Sequence, residues 1–584
     1  MNTKEGNLQR LPDFIFNIGI TGHRKIDSDN VLRCESAVSE VLQVIKRTCL
    51  ELNIKKGEEF FSPNEPECRL ITLLAEGADR IAARAAYKLG LKIQSVLPME
   101  KTQYEKDFLS DESVNEFEKL LKMSSAVYEI ALNKTNNSRV YLEAGELMLA
   151  HCDALIAVWD GFETGGIGGT ADIVSRAVAV NLPVIWINSE DFSDVRIFNQ
   201  NDEPAGYEKY LQDYIKLLMI PQTEESVFPD FNKEPPKDNW FSGFEKSFIN
   251  FVYNISGKRE ESVPDERSSS FGNDEAIAGV FFNYFKRLDS LAVTFAGYYR
   301  TAGILRQLLP LFAVISLAVG FYWGLRNNAG IMNVAGFFLQ ALFLALIILL
   351  SRMNKIQKWH LKFTDYRLLA EYLRYAEYLY PFGSVFENAK DSFFIPGKKS
   401  SWTNWYYRGI IRQAGIPDVK FDEDLFYKHK KLLLNLLTRQ IQYHEEKVEK
   451  HNRLTRFFEK NGLLLYNIGL VVTLLRVVVH FLKIPFNRQV NSVELPLFFN
   501  MLSMIIPAFA TALFGIAAQG NFQRLEQRSK AMAELLSAQK TRITGIKKPG
   551  YSSLKTVAEE ISDILISEIL DWNILTKSKG ISKH

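Results

Sequence analysis

Gly168, Gly169 and Thr170 close a glycine-rich turn within His151–Ala177, HCDALIAVWDGFETGGIGGTADIVSRA. The apolar run Ala154–Trp159 ahead of the turn has the length of a buried strand. Behind it, Thr170-Ala171-Asp172 supplies polar helix-starting residues before the apolar Ile173, Val174 and Ala177. A strand that passes through glycines into a helix N-terminus presents backbone N–H donors at the positive end of a dipole, which suits phosphate. Two other turns offer matching chemistry. In Gly22-His23-Arg24, the guanidinium can grip a phosphate bidentately, and the imidazole can donate to one or stack on a base. In Glu76-Gly77-Ala78-Asp79-Arg80, a second helix N-terminus carries Glu76, placed to accept from a ribose hydroxyl. Asp160 follows the central strand and either contacts ligand or caps the turn. Each group has a plain alternative: a turn, a loop, or, for Asp79, a carboxylate against a helix dipole. Glu143 and Glu146 read as a solvated helix face. No Ser-His-Asp set, HExxH or Walker lysine is present, and no metal site is expected.

These turns need a scaffold. Phe14–Thr21, Cys68–Ala75, Lys92–Leu97, Ser125–Leu132, Ala154–Trp159 and Pro183–Asn188 read as short buried strands. Helical stretches lie between them, as at Asn30–Leu52 and Ile81–Leu89. The alternation predicts an α/β doubly wound, Rossmann-like sheet over residues 13–190. In such a sheet, ligands bind beyond the carboxyl ends of the strands, which places the three turns on one edge.

The 584 residues carry a net charge of +2, which gives no electrostatic case for nucleic acid. Cys34, Cys49, Cys68 and Cys152 form no CxxC pair and read as free thiols in a reducing compartment. The N-terminal stretch lacks a signal-peptide apolar core. Residues 191–274 read as a helical connector, with possible helices at Tyr207–Met219 and Phe241–Ile255, and a flexible linker KREESVPDERSSSFGNDE. Four apolar runs follow, at 307–325, 331–350, 462–482 and 495–519. The first two match the roughly 20 apolar residues that cross a bilayer, with a buried helical hairpin as the plain alternative, which weighs more for the third run because Arg476 is costly at midplane depth. The four runs predict an all-α membrane region of four transmembrane helices in two hairpins.

Basic residues crowd the outer flanks of both hairpins: Lys286, Arg287, Arg300 and Arg306, then Arg352, Lys355, Lys358 and Lys362; Lys447 to Lys460, then Arg524, Arg528 and Lys530. By the positive-inside rule, both termini and the central segment are cytoplasmic. Arg476 and His480 share a helical face in the third run and either line a pore or subunit contact or snorkel to the interface.

Each hairpin leads into a polar helix with a shared pattern, Arg367-Leu-Leu-Ala-Glu371-Tyr-Leu373 and Lys530-Ala-Met-Ala-Glu534-Leu-Leu536. The first of these shows Trp359, Phe363, Tyr366, Leu369 and Leu373 on one side, and Lys355, Lys358, Lys362, Arg367, Arg374 and Glu377 on the other. That pattern predicts an amphipathic or coiled-coil helix. The membrane half therefore reads as a duplication: units 275–382 and 431–575 flank an aromatic segment, 383–430. That segment's Trp402, Trp405, Tyr406, Tyr407 and Arg408 are expected to pack on the helices.

The motifs ITGHRKI, LLAEGADRIAARAA, SVLP and DALIAVWDG…GGTADIV, in this order, resemble the SLOG family of Rossmann-like domains, which includes the cytokinin-activating LOG enzymes and nucleotide-ligand sensors. LOG enzymes carry a proline before the glycines and a catalytic glutamate three residues after the threonine. Here that place is Ile173, and the nearest acid is Asp172. The resemblance therefore implies a sensor of a nucleotide-derived ligand, with no required cofactor. The alternative is a membrane-tethered nucleotide N-glycosidase or phosphohydrolase with Glu76, Asp79 or Asp172 as acid/base. The paired hairpins with cytosolic helices are similar in architecture to the SLATT family of prokaryotic effectors. This implies a homo-oligomeric pore in an inner membrane, opened when the sensor is triggered, in antiviral defence.

Overall fold

The computed structural model describes residues 11–130, 137–162, 166–198, 206–221, 228–231, 239–256, 275–327, 329–386, 401–481 and 494–581. The linker expected at 258–275 falls almost wholly outside them.

Strand β1 (Ile15–Gly22) leads into α1 (Val31–Phe60), β2 (Glu67–Thr72), α2 (Ala78–Lys88) and β3 (Lys92–Leu97). Helices α3 (Lys101–Tyr104) and α4 (Asp111–Met123) precede β4 (Ser124–Glu129), and α5 (Asn137–His151) precedes β5 (Ala154–Trp159). Then come α6 (Thr170–Ala179), β6 (Val184–Asn188) and the short β7 (Val195–Ile197). The central strands β1 and β5 are mostly apolar runs buried on both faces, as the middle of a parallel sheet requires; every residue of β5 is buried. Helix α1 continues past the expected end at Leu52, through the helix-favouring Lys55, Lys56, Glu58 and Glu59, to Phe60. The strand expected to run to Ala75 stops at Thr72, because Leu74 adopts a positive φ of 55°.

The connector holds α7 (Gly206–Met219), α8 (Phe228–Phe231) and α9 (Trp240–Ile255). Two long helices, α10 (Glu275–Arg326) and α11 (Gly330–Gln357), form the first hairpin, followed by α12 (Trp359–Leu379) and α13 (Trp402–Ala414). The chain then adds β8 (Val419–Lys420). Helices α14 (Glu423–Phe481) and α15 (Glu494–Gly520) make the second hairpin, and α16 (Phe522–Gly545) and α17 (Tyr551–Ile581) end the chain.

The sheet runs β7-β6-β5-β1-β2-β3-β4-β8, parallel throughout except for antiparallel β7. Strand succession reverses between β1 and β5, the switch point of a doubly wound fold. Strand β8 comes from the segment between the hairpins and pairs with β4 through Tyr128–Val419 and Glu129–Lys420.

The segments at Phe281–Arg326, Gly330–Gln357, Glu423–Val478 and Leu497–Gly545 are four helices long and apolar enough to cross a membrane, so the chain reads as a multi-pass membrane protein. Helix α10 packs on α11, α14 on α15, and α10 on α15. Small residues allow these contacts. A Cβ on Gly320 would lie 2.9 Å from the Cα of Gly336.

Both hairpins leave the membrane region through a left-handed residue, Lys358 (φ 49°) between α11 and α12 and Asn521 (φ 47°) between α15 and α16. An aromatic follows each, Trp359 and Phe522. The two sites stand at the same interval before the Arg367 and Lys530 patterns. The two units thus share a backbone landmark as well as a motif.

Helix α12 is not amphipathic. Lys362 is 2%, Glu371 1% and Arg374 7% exposed. Their charges are paired inside the protein: Lys362 with Asp230 (3.0 Å), and Arg374 with Glu371 (3.0 Å) and Asp289 (3.7 Å). The aromatic segment packs on this helix as expected, with Trp402 against Tyr366 and Tyr407 against Tyr372. It also docks on the α/β unit, where Trp405 meets Phe60 and Phe61 and donates to the Met219 carbonyl (2.8 Å).

Candidate functional site

Adjacent strands β5, β1 and β2 deliver their carboxyl ends side by side, so Asp160, His23 and the Glu76–Arg80 turn meet at the switch point. Tight backbone locks the turns together. The His23 N–H donates to the Val158 carbonyl (3.0 Å), and Ala78 N–H donates to the His23 carbonyl (3.1 Å). Gly22 is required because a Cβ would lie 2.6 Å from the Ala78 Cβ. Gly77 has φ 81°, and a Cβ there would overlap the carbonyl oxygens of His23 and Arg24.

His23 and Asp160 face each other at half-exposed positions. The Asp160 backbone N–H donates to His23 Nε2 (3.2 Å), and its Oδ2 lies 3.3 Å from the same nitrogen. A neutral ring accepts from the backbone, and a protonated one pairs with the carboxylate. Asp160 also accepts from the Phe162 N–H (3.0 Å), so it caps its turn while facing His23.

Arg24 lies over the Tyr141 ring, 4.8 Å from its centroid. Burial alone would lower its pKa; the hydrogen bond to Tyr141 and the field of Tyr141, Tyr104 and Asp107 hold it above the ordinary value. The Tyr141 hydroxyl donates to Asp107. Tyr104 is fully buried beside Tyr141, and its hydroxyl has no hydrogen-bond partner among the described residues. Sequence reasoning missed these three; their only signal is a position shortly beyond a strand end or, for Tyr141, on the helix before β5.

The three candidate acids are engaged by the chain itself. Asp79 is buried and accepts from Thr72 Oγ1 and the Leu73 N–H, both at 3.2 Å. Burial pushes its carboxyl up to about 6 against those stabilising bonds. Glu76 accepts from the Leu109 N–H (3.1 Å) and from Ser113 Oγ, so it fastens the loop before α4. Asp172 accepts from the Gly168 N–H (2.9 Å) and pairs with Arg176 Nε (2.9 Å). The Gly168 bond leads in holding its pKa below the ordinary value.

Arg80 is 2% exposed; its Nε donates to the Leu74 carbonyl (3.2 Å) and its Nη1 to the Ser113 carbonyl (2.8 Å) and Ser113 Oγ (2.7 Å), while Nη2 is buried without a partner among the described residues. Its contacts are those of a brace.

The glycine loop behaves as two different glycines. Gly168 has φ 75°, and a Cβ would lie 2.8 Å from the Leu142 nitrogen, so it lets the loop sit on α5. Gly169 is extended (φ −78°, ψ 173°) and precedes Thr170, the first residue of α6. Gly165 lies outside the described residues. Beside the loop, a cleft of about 390 Å³ is lined by Arg139, Leu142, Glu143, Glu146, Ile167 and Arg176. Glu146 lines it on a solvated helix face, its side chain 42% exposed and paired to Arg176.

In the membrane half, Arg476 is exposed on α14, with Nη1 3.3 Å from Ser503 Oγ on α15. The side chain of His480 lies outside the described residues. Among the described residues, no group of three His, Cys, Asp or Glu side chains is placed to hold a metal ion.

The chain matches no family model, and no curated protein matches it.

Proposed function

We propose that this protein is a membrane effector whose α/β unit binds a nucleotide-derived signal and thereby opens an oligomeric transmembrane assembly. One observation carries the reading. His23 and Asp160 face each other at the switch point of a sheet whose edge strand, β8, is delivered by the segment joining the two hairpins. A ligand seated over β1 and β5 therefore acts on a sheet fastened to the helices below the membrane. It shifts the assembly only by binding the open form more tightly than the closed one.

Arg24, the glycine loop and the adjacent cleft supply a cation, backbone donors and room for a phosphorylated ligand. The motif likeness to SLOG sensors and the duplicated hairpins similar to SLATT effectors support the same reading. They bring with it an inner-membrane location with cytoplasmic termini and a role in antiviral defence. Arg476 is the candidate for the pore or subunit contact.

The test uses full-length protein in liposomes loaded with a fluorescent dye. Cyclic nucleotides, ADP-ribose derivatives and nucleoside monophosphates are added singly, and dye release is followed while the nucleotides are checked by mass spectrometry. Release with the nucleotide intact is the expected outcome. A panel that neither shifts melting nor releases dye overturns the reading.

A second reading is a tethered nucleotide hydrolase with Asp79, beside the His23 turn and pushed up to about 6 by burial, as its acid/base. Its engagement by Thr72 and Leu73 counts against it. Free base or phosphate in the same mass spectra would establish that reading instead.

A further inference from the structure

Opposite the switch point, at the amino-terminal side of β5, lies a small buried cavity between the α/β unit and α13. Its polar lining is His151 and Asp153 on one side and Tyr407, Arg408 and Arg412 on the other, with apolar residues such as Phe386 completing the wall. About 20 Å³ is open to the centre of a water-sized body, room for one small polyatomic ion and far too little for a nucleotide.

Arg412 is 4% exposed. Its Nε donates to Asp153 Oδ1 (2.8 Å), while Nη1 and Nη2 are buried with no hydrogen-bond partner among the described residues. Buried guanidinium donors without an acceptor are costly, and the cavity is where an acceptor would sit. Arg408, one turn earlier on α13, approaches the same Asp153 oxygen at 3.9 Å. Burial and then repulsion from Arg412 lower the Arg408 pKa, ahead of the opposing pull of Asp153. The Arg408 side chain is 17% exposed.

Asp153 has little left to give these cations. Its Oδ2 accepts from the Asn17 N–H (3.0 Å), and Oδ1 already faces both guanidiniums. A second acceptor with spare oxygens satisfies Arg412 in its fork geometry.

We propose that this cavity binds a small inorganic oxyanion of the phosphate or sulfate class, held by Arg412 and Arg408 beside His151. The anion serves as the counter-ion that keeps α13 docked on the sheet. It is a separate site from the nucleotide crevice, on the other edge of the sheet, and does not depend on that assignment.

The experiment follows thermal melting of the full-length protein in detergent, titrating inorganic phosphate or sulfate against chloride at fixed ionic strength. The expected result is a saturable rise in Tm, as binding to the folded form alone requires. The rise persists in Gly169→Val, which alters the glycine loop. It disappears in Arg408→Gln, which leaves the Arg412–Asp153 pair in place. Arg408→Lys, which keeps the charge but not the fork, gives a midpoint at least about tenfold higher in phosphate. No saturable rise in the wild type, or an Arg408→Lys titration equal to it, overturns the proposal. So does a rise lost in Gly169→Val, because the anion then sits at the glycine loop.

Discussion

Arg412 Nε lies 2.8 Å from Asp153 Oδ1 across 259 residues of chain, and the whole first hairpin falls between them. The pair ties α13 to the start of β5. Removing one partner of a buried pair leaves the other uncompensated. Asp153→Ala is therefore expected to cost about 3–5 kcal/mol, read as a large drop in Tm. A Tm within a degree of wild type would show that the pair does not hold the two parts together.

Asp79 predicts a pH dependence of definite sign. Its folded-state pKa, about 6, lies above the ordinary 3.8, so the folded form holds the proton more tightly than the unfolded form. Its contribution is full at acid pH and declines as pH rises from about 4 through 6. Asp79→Asn removes the ionisation. The variant should match wild type near pH 4 and exceed it at pH 7 by at most about 3 kcal/mol. Melting curves across that range decide it; parallel curves would place the Asp79 carboxyl at an ordinary value.

The two loop glycines separate folding from binding. Gly168→Ala places a side chain at positive φ against the Leu142 backbone, and should lower stability by more than about 1 kcal/mol. Gly169→Val fits the extended backbone and should leave Tm nearly unchanged while abolishing the nucleotide-induced melting shift. A preserved shift removes Gly169 from the binding surface.

Asp172 occupies a donor that a phosphate would use. Asp172→Asn keeps an acceptor for the Gly168 N–H but removes the charge from the start of α6. Affinity for the most effective nucleotide of the panel should rise about two- to fivefold by calorimetry. A fall would make Asp172 a contact to the ligand rather than its competitor.

Gly320 and Gly336 bring α10 and α11 into backbone contact. Gly320→Leu should force the pair apart at a cost of about 1–3 kcal/mol, with Gly320→Ala milder. Thermal aggregation in detergent measures it, and an unchanged midpoint in both variants argues that the hairpin does not rely on this approach.

Buried parallel strands such as Ala154–Trp159 were legible because burial on both faces writes an uninterrupted apolar run, with turn residues at each end. His23 and Asp160 could be named for the same reason, as residues just past such runs. Val195–Ile197 and Val419–Lys420 are too short to carry a pattern; the first exists as a strand through its chain neighbour β6 and the second through the distant β4. The charges of α12 misled because Lys362 and Arg374 find Asp230 and Asp289 far along the chain, which no local periodicity reveals. Tyr104 and Tyr141 join the site through folding of α3 and α5 above the sheet, again without a local signal.

The edge position of β8 bears on how the protein is made. A ribosome delivers β4 long before Val419, and the first hairpin emerges between them. Until synthesis passes Lys420, β4 remains an unpaired edge, open to pairing with another chain. Completion of the sheet therefore waits on the two long apolar helices α10 and α11, which are made between its strands β4 and β8. A fragment cut at the end of α9 carries that edge bare.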